Sequence, residues 1–416
     1  MTSSFQSSGT TRTAFSDGSC RHRRHFSTKI DAMVITQQLP RALKPPSQSF
    51  FLFGPRGSGK STWLRQHFSK GVRFDLLDEA LFYELLTPGR LADRLRGLRP
   101  RSWVCIDEVQ RLPSLLNEVH RSIETAGLRF VLSGSSARKL KREGVNLLAG
   151  RALRKTMHPF LPSEMEGRFN IDEAMRFGTL PIVLASPSPE QTLSSYVLSY
   201  LRDEIQAEAL ARSLAGFSRF LPIAALMHGQ TVNVSSLARD SGVARTTVND
   251  YLDVLEDTLL AFRLPAFEAK LRVRERKHPK LFWVDAGVVR AAKQHRGPVA
   301  PEERGPLFEG VVATILRGWN DYRGVYDDWA YWAPTEGAQV EVDFLLRRGK
   351  KFVAIEVKSS PRPREGDRAG LDAVAGLAGL ERRILVYPKS STLRLQGGIE
   401  VFGLEAFERL IATGQL

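Results

Sequence analysis

Between Phe51 and about Phe160, short apolar runs alternate with stretches of helical spacing. Phe51-Leu52-Phe53, the run from Val72 to Leu76, Trp103-Val104-Cys105-Ile106 and the run from Arg129 to Ser133 read as strands. Their alternation with helices predicts a parallel sheet flanked by helices. From about 161 to 270 the spacing is that of helices, and Val234 to Val248 has helix–turn–helix character. Leu237, Ala238, Val243, Val248, Leu252 and Leu255 would face a core, with Gly242 in the turn and Arg245, Thr246, Thr247 and Asn249 facing outward. Asp250, Asp253, Glu256 and Asp257 follow and would repel phosphates, so DNA reading and a structural wing are equally matched. From about 271 onward the pattern predicts a helix over 307–319, strands over 329–332, 340–346 and 352–358, a helix over 367–380 and a strand over 383–387. Residues 347–351 would turn between the second and third of these strands.

A chain of 416 residues implies two or three cores, and 42% hydrophobic with 25% charged residues is ordinary globular composition. No 18 apolar residues run together, so no membrane span is expected. Residues 1 to about 45 are rich in Ser, Thr and Arg, carry only Asp17 and Asp31 as acids, and are expected to be disordered. The cluster from Arg21 to His25 fits an organellar transit peptide, but Met33 fits an over-extended start, which is the preferred reading. A formal charge of +15 suits a polyanionic partner, DNA or RNA, and a merely solvated basic surface matches it equally well. Cys20 and Cys105 are the only cysteines, which fits a reducing, cytoplasmic location and excludes a disulfide framework.

The chemistry begins directly after the first strand. Gly54-Pro55-Arg56-Gly57-Ser58-Gly59-Lys60-Ser61 is a complete Gly-x-x-x-x-Gly-Lys-Ser loop, with Thr62 continuing into a helix. Glycines let successive backbone N–H groups wrap a phosphate at a helix N-terminus. Lys60 would reach the β- and γ-phosphates, and Ser61 would hold Mg²⁺, so ATP and Mg²⁺ are the expected cofactors. The strand ending in Asp107-Glu108 fits a Walker B element, Asp107 beside the Mg²⁺ and Glu108 polarising the attacking water. At the end of the next strand Ser133, with Ser135 close behind, could sense the γ-phosphate, and Arg138 or Arg151 could contact it.

A second signature lies near the C-terminus. Period-two geometry puts Glu356 and Lys358 on one strand face, and pairing can bring Asp343 alongside, the Asp…Glu-x-Lys arrangement of a PD-(D/E)xK nuclease core. Glu309 on the preceding helix would add a further acid, so Asp343, Glu356 and Glu309 are candidate Mg²⁺ ligands and Lys358 the candidate nuclease lysine. Glu-x-Lys also occurs at Glu268/Lys270 and Glu275/Lys277, and only its setting selects the copy at Glu356. The rival is a surface hairpin, or a nuclease fold that no longer cuts.

Together with Leu148-Ala149-Gly150-Arg151, the stretch from Pro159 to Glu164, Gly178-Thr179-Leu180-Pro181, the stretch from Tyr200 to Ile205 and that from Lys280 to Gly287, these motifs resemble a family of prokaryotic ATPases. In that family an AAA-type ATPase is followed by a winged helix and a C-terminal domain of unknown function with a nuclease-like core. The resemblance covers nearly everything from Pro46 onward and implies an α/β chain. It would comprise a P-loop parallel sheet (46–160), a helical and winged-helix region (161–270) and a restriction-endonuclease-like domain (271–416). It implies an ATPase coupled to a nucleic-acid-facing domain, with Gly150-Arg151 as a family Gly-Arg that would act as a finger, and leaves room for a homo-oligomer. The alternative is an ATP-dependent switch or scaffold with a silent nuclease fold and a protein partner.

Overall fold

The computed structural model describes residues 39–136, 140, 148, 150–200, 214–267, 275–335 and 340–416. Its first sheet is built from β1 (Phe50–Phe53), β2 (Val72–Asp75), β3 (Trp103–Asp107), β4 (Arg129–Gly134) and β5 (Leu153–Thr156), all parallel, in the order β2-β3-β4-β1-β5. Helices α1 (Lys60–His67), α2 (Glu79–Leu85), α3 (Arg90–Leu95) and α4 (Leu115–Ala126) alternate with the strands. All four β1 residues are buried because helices cover both faces. The period of two then sorts them. Phe50 and Leu52 pack with Trp63, Cys105 and Val131, while Phe51 and Phe53 pack with Ile106, Phe130 and Leu132. Edge strand β5, Leu-Arg-Lys-Thr and half exposed, has no apolar run to announce it in the sequence.

Residues 39–45 are not the disordered tail that composition predicts. Leu39 and Leu43 are buried, and Leu43 packs against Phe50 and Trp63.

The middle region holds α5 (Ile171–Phe177), α6 (Pro181–Leu184), α7 (Pro189–Ser195) and α8 (Leu214–Leu226). Then come β6 (Gln230–Thr231), α9 (Val234–Ser241), α10 (Arg245–Asp257), β7 (Ala261–Leu264), β8 (Lys280–Trp283) and α11 (Ala286–Ala292). Asn233 caps α9 through Ser235 N–H and Ser236 N–H, and Gly242 closes the helix at φ 64°. Arg245, Thr246 and Asn249 are exposed, whereas Thr247 is half-buried. The region is not helical throughout, since β6, β8 and β7 form an antiparallel sheet in that order. A continuous buried run such as Lys280–Trp283 cannot be told from a helical segment by periodicity.

Helix α12 (Pro301–Arg323) is longer than the spacing predicts at both ends: Pro301 fits its first turn and Gly324 ends it at φ 64°. The last sheet has β9 (Asp328–Trp332), β10 (Val342–Arg348), β11 (Lys351–Val357), α13 (Ala369–Ala373), β12 (Leu380–Tyr387), β13 (Leu393–Arg394), β14 (Glu400–Gly403) and α14 (Leu404–Ala412). Its order is β13-β14-β12-β11-β10-β9. The expected turn over 347–351 is only Gly349-Lys350, and the expected helix over 367–380 stops at Ala373, ahead of Gly376 and a Gly379 at φ 84°. Phe282, Trp283, Phe308, Leu316, Phe344 and Ile355 share one core, so the middle region and the last sheet are packed together.

Candidate functional site

Because β4 lies between β1 and β3, the loop after β1 and the acidic end of β3 emerge at one edge of the sheet, either side of Ser133-Gly134. This carboxyl edge is where open α/β sheets bind ligands. Gly57 and Gly59 stand at φ 75° and 91°, a backbone that side chains resist, and Gly59 caps α1. Lys60 is 6% exposed, and its Nζ donates to Gly54 O (2.8 Å) and Pro55 O (3.2 Å), bonds that charged phosphate oxygens can replace. A cavity of about 360 Å³ opens here, lined among others by Arg41, Arg56, Gly57, Gly59, Lys60, Ser61, Thr62, Glu108, Phe160, Pro181 and Ile182.

Glu108 takes φ 58°, a left-handed backbone that a non-glycine residue holds only at about 1–2 kcal/mol. Gln110 Nε2 donates to its carboxylate at 2.5 Å and to Ser135 Oγ at 3.2 Å, tying the ends of β3 and β4 together. Asp107 is buried behind it. Its Oδ2 accepts from Arg73 at 3.0 Å and its Oδ1 from the hydroxyl of Ser133. Burial pushes the Cys105 thiol on the same strand up to about 12, so it is no nucleophile. Arg151 is half-exposed, pairs with Glu124 on α4 and does not line the cavity, so within its own chain it makes no finger. Arg138 lies outside the described residues.

The stretches Gly178-Thr179-Leu180-Pro181 and Val284-Asp285-Ala286-Gly287 meet above this loop. Asp285 Oδ2 accepts Thr179 N–H at 2.7 Å and Oδ1 accepts Val288 N–H at 3.1 Å. At φ 74°, a Cβ on Gly178 would fall 1.8 Å from Asp285 Oδ1. Ile182 N–H then donates to Gly57 O at 3.3 Å, which lays α6 on the phosphate-loop backbone.

In the last sheet the antiparallel register Phe344↔Ile355 sets Asp343 opposite Glu356. Asp343 Oδ2 accepts Val357 N–H at 2.7 Å, and Lys358 Nζ donates to Glu356 Oε1 at 2.6 Å. Glu309 reaches this cluster from α12, but through residues that the motif does not contain. Lys280, the first residue of β8, donates its Nζ to Glu309 Oε1 (2.9 Å) and Glu341 Oε1 (3.2 Å) and lies 3.5 Å from Asp343 Oδ1. Ligand oxygens of Glu309, Glu341 and Asp343 lie within 4.8 Å of one another, a spacing that could hold a metal ion, with Glu356 adjoining rather than inside that trio. Burial pushes the Glu309 carboxyl up to about 8 and raises Asp343 and Glu356 as well, each helped by neighbouring carboxylates and opposed by a lysine. Burial alone would lower Lys358, but Glu356 overrides it and raises the ammonium. The competing Glu-x-Lys copy at Glu275 is structural, since Glu275 Oε1 accepts Trp332 Nε1–H at 2.8 Å, and the copy at Glu268 lies outside the described residues.

A buried network ties the first cavity to the C-terminal end of α12. Arg41 lines the first cavity, and its guanidinium reaches Ser58 O at 3.5 Å, Tyr322 Oη at 3.4 Å and Glu164 at 3.3 Å. His158 N–H donates to Tyr322 Oη at 3.2 Å, and the His158 ring bonds Asp321 at 2.6 Å. Burial holds His158 below the ordinary imidazole range and pushes Tyr322 up to about 12. Sequence patterning missed Arg41, Gln110, Lys280 and Glu341. Only Glu341 had a signal, standing two positions from Asp343 and so on the same strand face.

Three family models match successive parts of the chain. Residues 46–166 match an AAA domain, 168–298 match a domain of unknown function (DUF8612), and 304–407 match another (DUF4143). Over 387 residues the chain is 26% identical to an uncharacterized protein of Mycobacterium tuberculosis, covering 89% of this chain and 84% of the relative. An uncharacterized protein of Haemophilus influenzae is 23% identical over 337 residues, covering 73% and 80% respectively. Among solved structures, the Aeropyrum pernix ORC2 protein in its ADPNP–ADP complexes superimposes on 65% of this chain and 94% of its own, with 13% identity and a TM-score of 0.34. Protein VC1899 from Vibrio cholerae gives 88% and 96%, with 14% identity and a TM-score of 0.22. The chain thus carries an AAA domain and is of ATP-binding, ATPase type. No helix among the described residues is long and apolar enough to cross a membrane.

Proposed function

We propose that this protein is a Mg²⁺-dependent AAA-type ATPase whose nucleotide cycle is coupled, through α12, to a nuclease-like site facing nucleic acid. Lys60 and the loop N–H groups would bind the phosphates, Ser61 and Asp107 would hold Mg²⁺, Glu108 would polarise the attacking water, and Ser133 would report the γ-phosphate to Asp107. Exposed Arg151 would serve as a finger only towards a neighbouring copy, in a homo-oligomer. At the second site Asp343 and Glu356, with Glu309 nearby, would hold a divalent cation, and Lys358 would touch the same phosphodiester. The fit rests on a buried Glu356 Oε2 that accepts no hydrogen bond from the described residues, an anionic oxygen otherwise costly to bury. A cation there would supply Lewis-acid stabilisation of the phosphate charge. Helices α9 and α10 with the β6-β8-β7 sheet would serve as a winged helix, and the exposed Arg245, Thr246 and Asn249 would suit DNA or RNA.

The observation that carries the coupling is α12 itself. One helix bears Glu309 in the acidic cluster and, about 20 Å further along its axis, Asp321 and Tyr322 against His158 and Arg41 at the nucleotide cavity. Movement of the phosphate loop at Ser58 would reach the cluster through a rigid element. The test is ATP turnover and Mg²⁺-dependent nicking of plasmid DNA by the full chain. Lys60→Ala should lose ATP affinity and turnover, and Asp343→Ala should lose nicking while hydrolysing ATP at the normal rate. Turnover without nicking, in wild type and Asp343→Ala alike, would select the second reading, a nucleotide-dependent switch with a protein partner. That reading is favoured by Lys280, whose ammonium already stands among three of the acids a metal would need.

A further inference from the structure

Lys280 does not belong to the sheet that carries the acids. It enters the cluster from β8 of the middle region, is 2% exposed, and its Nζ stands 5.3 Å from the Tyr331 ring centroid as well as within 2.9–3.5 Å of Glu309, Glu341 and Asp343. Its ammonium therefore sits where a cation bound by that trio would sit, among the same three carboxylates.

The remaining acid is arranged differently. Glu356 is 3% exposed; its Oε1 takes the Lys358 ammonium, and its Oε2 accepts no hydrogen bond from the described residues. Asp343 stands opposite it and spends Oδ2 on Val357 N–H, leaving Oδ1 towards Lys280. Among the described residues, four carboxylates (Glu309, Glu341, Asp343, Glu356) against two ammonium groups (Lys280, Lys358) leave a formal −2, the charge that one divalent cation balances. Burying two uncompensated charges is expensive, so the cluster needs either a cation or protons.

We propose that Lys280 is a built-in cation filling one of two cation positions in this cluster, so that the site takes one divalent metal ion, at Asp343 and Glu356, and not two. This rests on reading the cluster as a cation site. A hard ion with oxygen ligands, Mg²⁺ or Mn²⁺, is the matching class. The lysine also ties the metal position to the middle region, because displacing β8 would withdraw it.

Mn²⁺ binding to the nucleotide-free full chain, counted by electron paramagnetic resonance, tests this. Wild type should bind one ion, and Glu356→Gln should bind none. Lys280→Met should bind two, because the Glu309–Glu341–Asp343 position opens. Should Lys280→Met fail to fold, Glu341→Gln serves in its place: it should keep the single ion at wild-type affinity, because Glu341 faces Lys280 and not the metal. Two ions in wild type, an unchanged single ion in Lys280→Met, or loss of the ion in folded Glu341→Gln would overturn the role given to Lys280. No ion in wild type would instead overturn the cation reading of the cluster itself.

Discussion

The two charged pockets of this molecule are mirror images in charge. The charged side chains in the wall of the nucleotide cavity are three cations, Arg41, Arg56 and Lys60, and one carboxylate, Glu108. The C-terminal cluster sets four carboxylates against two lysines. The first adds backbone donors from a glycine loop and a helix N-terminus, so it is short of negative charge and suits a polyphosphate. The second is short of positive charge and suits a metal ion. They also differ in how firmly their charges are placed. Lys60 bonds neutral carbonyls that it can exchange, whereas Lys280 is locked among anions, which raise its ammonium well above the usual lysine range against the pull of burial.

The largest effect is expected where this difference is chemical. Glu108→Gln keeps the shape of the nucleotide pocket but removes the base, so ATP turnover should fall about 10²–10⁴-fold with analogue affinity retained and Mn²⁺ binding at the second pocket unchanged. Turnover within tenfold of wild type would remove Glu108 from the reaction.

The contrast also explains what could be read from the sequence. The phosphate loop is local, eight consecutive residues whose spacing is itself the mechanism, and its sheet follows from alternating apolar runs. The acidic pocket is assembled from four separate segments, those bearing Lys280, Glu309, Glu341 with Asp343, and Glu356 with Lys358. The motif supplied the hairpin pair because a strand period and a short turn bring Asp343 and Glu356 together. No periodicity announces that Lys280, inside the apolar run of β8, would be swung into the same cluster by the packing of two sheets on α12. Arg41 was hidden for the same reason: a residue in a polar leader segment becomes buried only when Ser58, His158, Phe160, Glu164 and Tyr322 close around it.

A second test breaks the frame that holds both pockets. Gly178→Ala places a Cβ on Asp285 Oδ1 in a positive-φ backbone, so the chain should lose about 2–4 kcal/mol, read as a lower thermal midpoint. ATP-analogue affinity should weaken too, since α6 leans on Gly57. A variant as stable as wild type would remove the Gly178–Asp285 contact from the account.

A smaller effect is expected of acid, and on one pocket before the other. His228 is buried against α12, where a Cβ on Gly310 would fall 2.2 Å from its Nε2, and its Nδ1 accepts Trp283 N–H at 3.1 Å. Burial pulls its imidazole down to about 3. A depressed folded value means that its contribution to stability is complete above the unfolded value near 6.5 and is lost as pH falls towards 3. By pH 5 the loss is about 2 kcal/mol. The thermal midpoint should therefore drop between pH 7.5 and 5, and His228→Gln should begin lower but drop less. An equal drop in both would assign the acid sensitivity elsewhere.

On the proposed coupling, α12 carries the nucleotide state from the phosphate loop to the acidic cluster. Hydrogen exchange on Glu108→Gln with and without ATP measures it directly, followed at the amides of α12 around Glu309 and of β10 and β11, and repeated in a background carrying Tyr322→Phe. ATP should change protection at Glu309, Asp343 and Glu356 as well as around the phosphate loop, and Tyr322→Phe should abolish the distant change while leaving the local one. A change confined to the phosphate loop, with the α12 and β10–β11 amides unmoved by ATP, would contradict it.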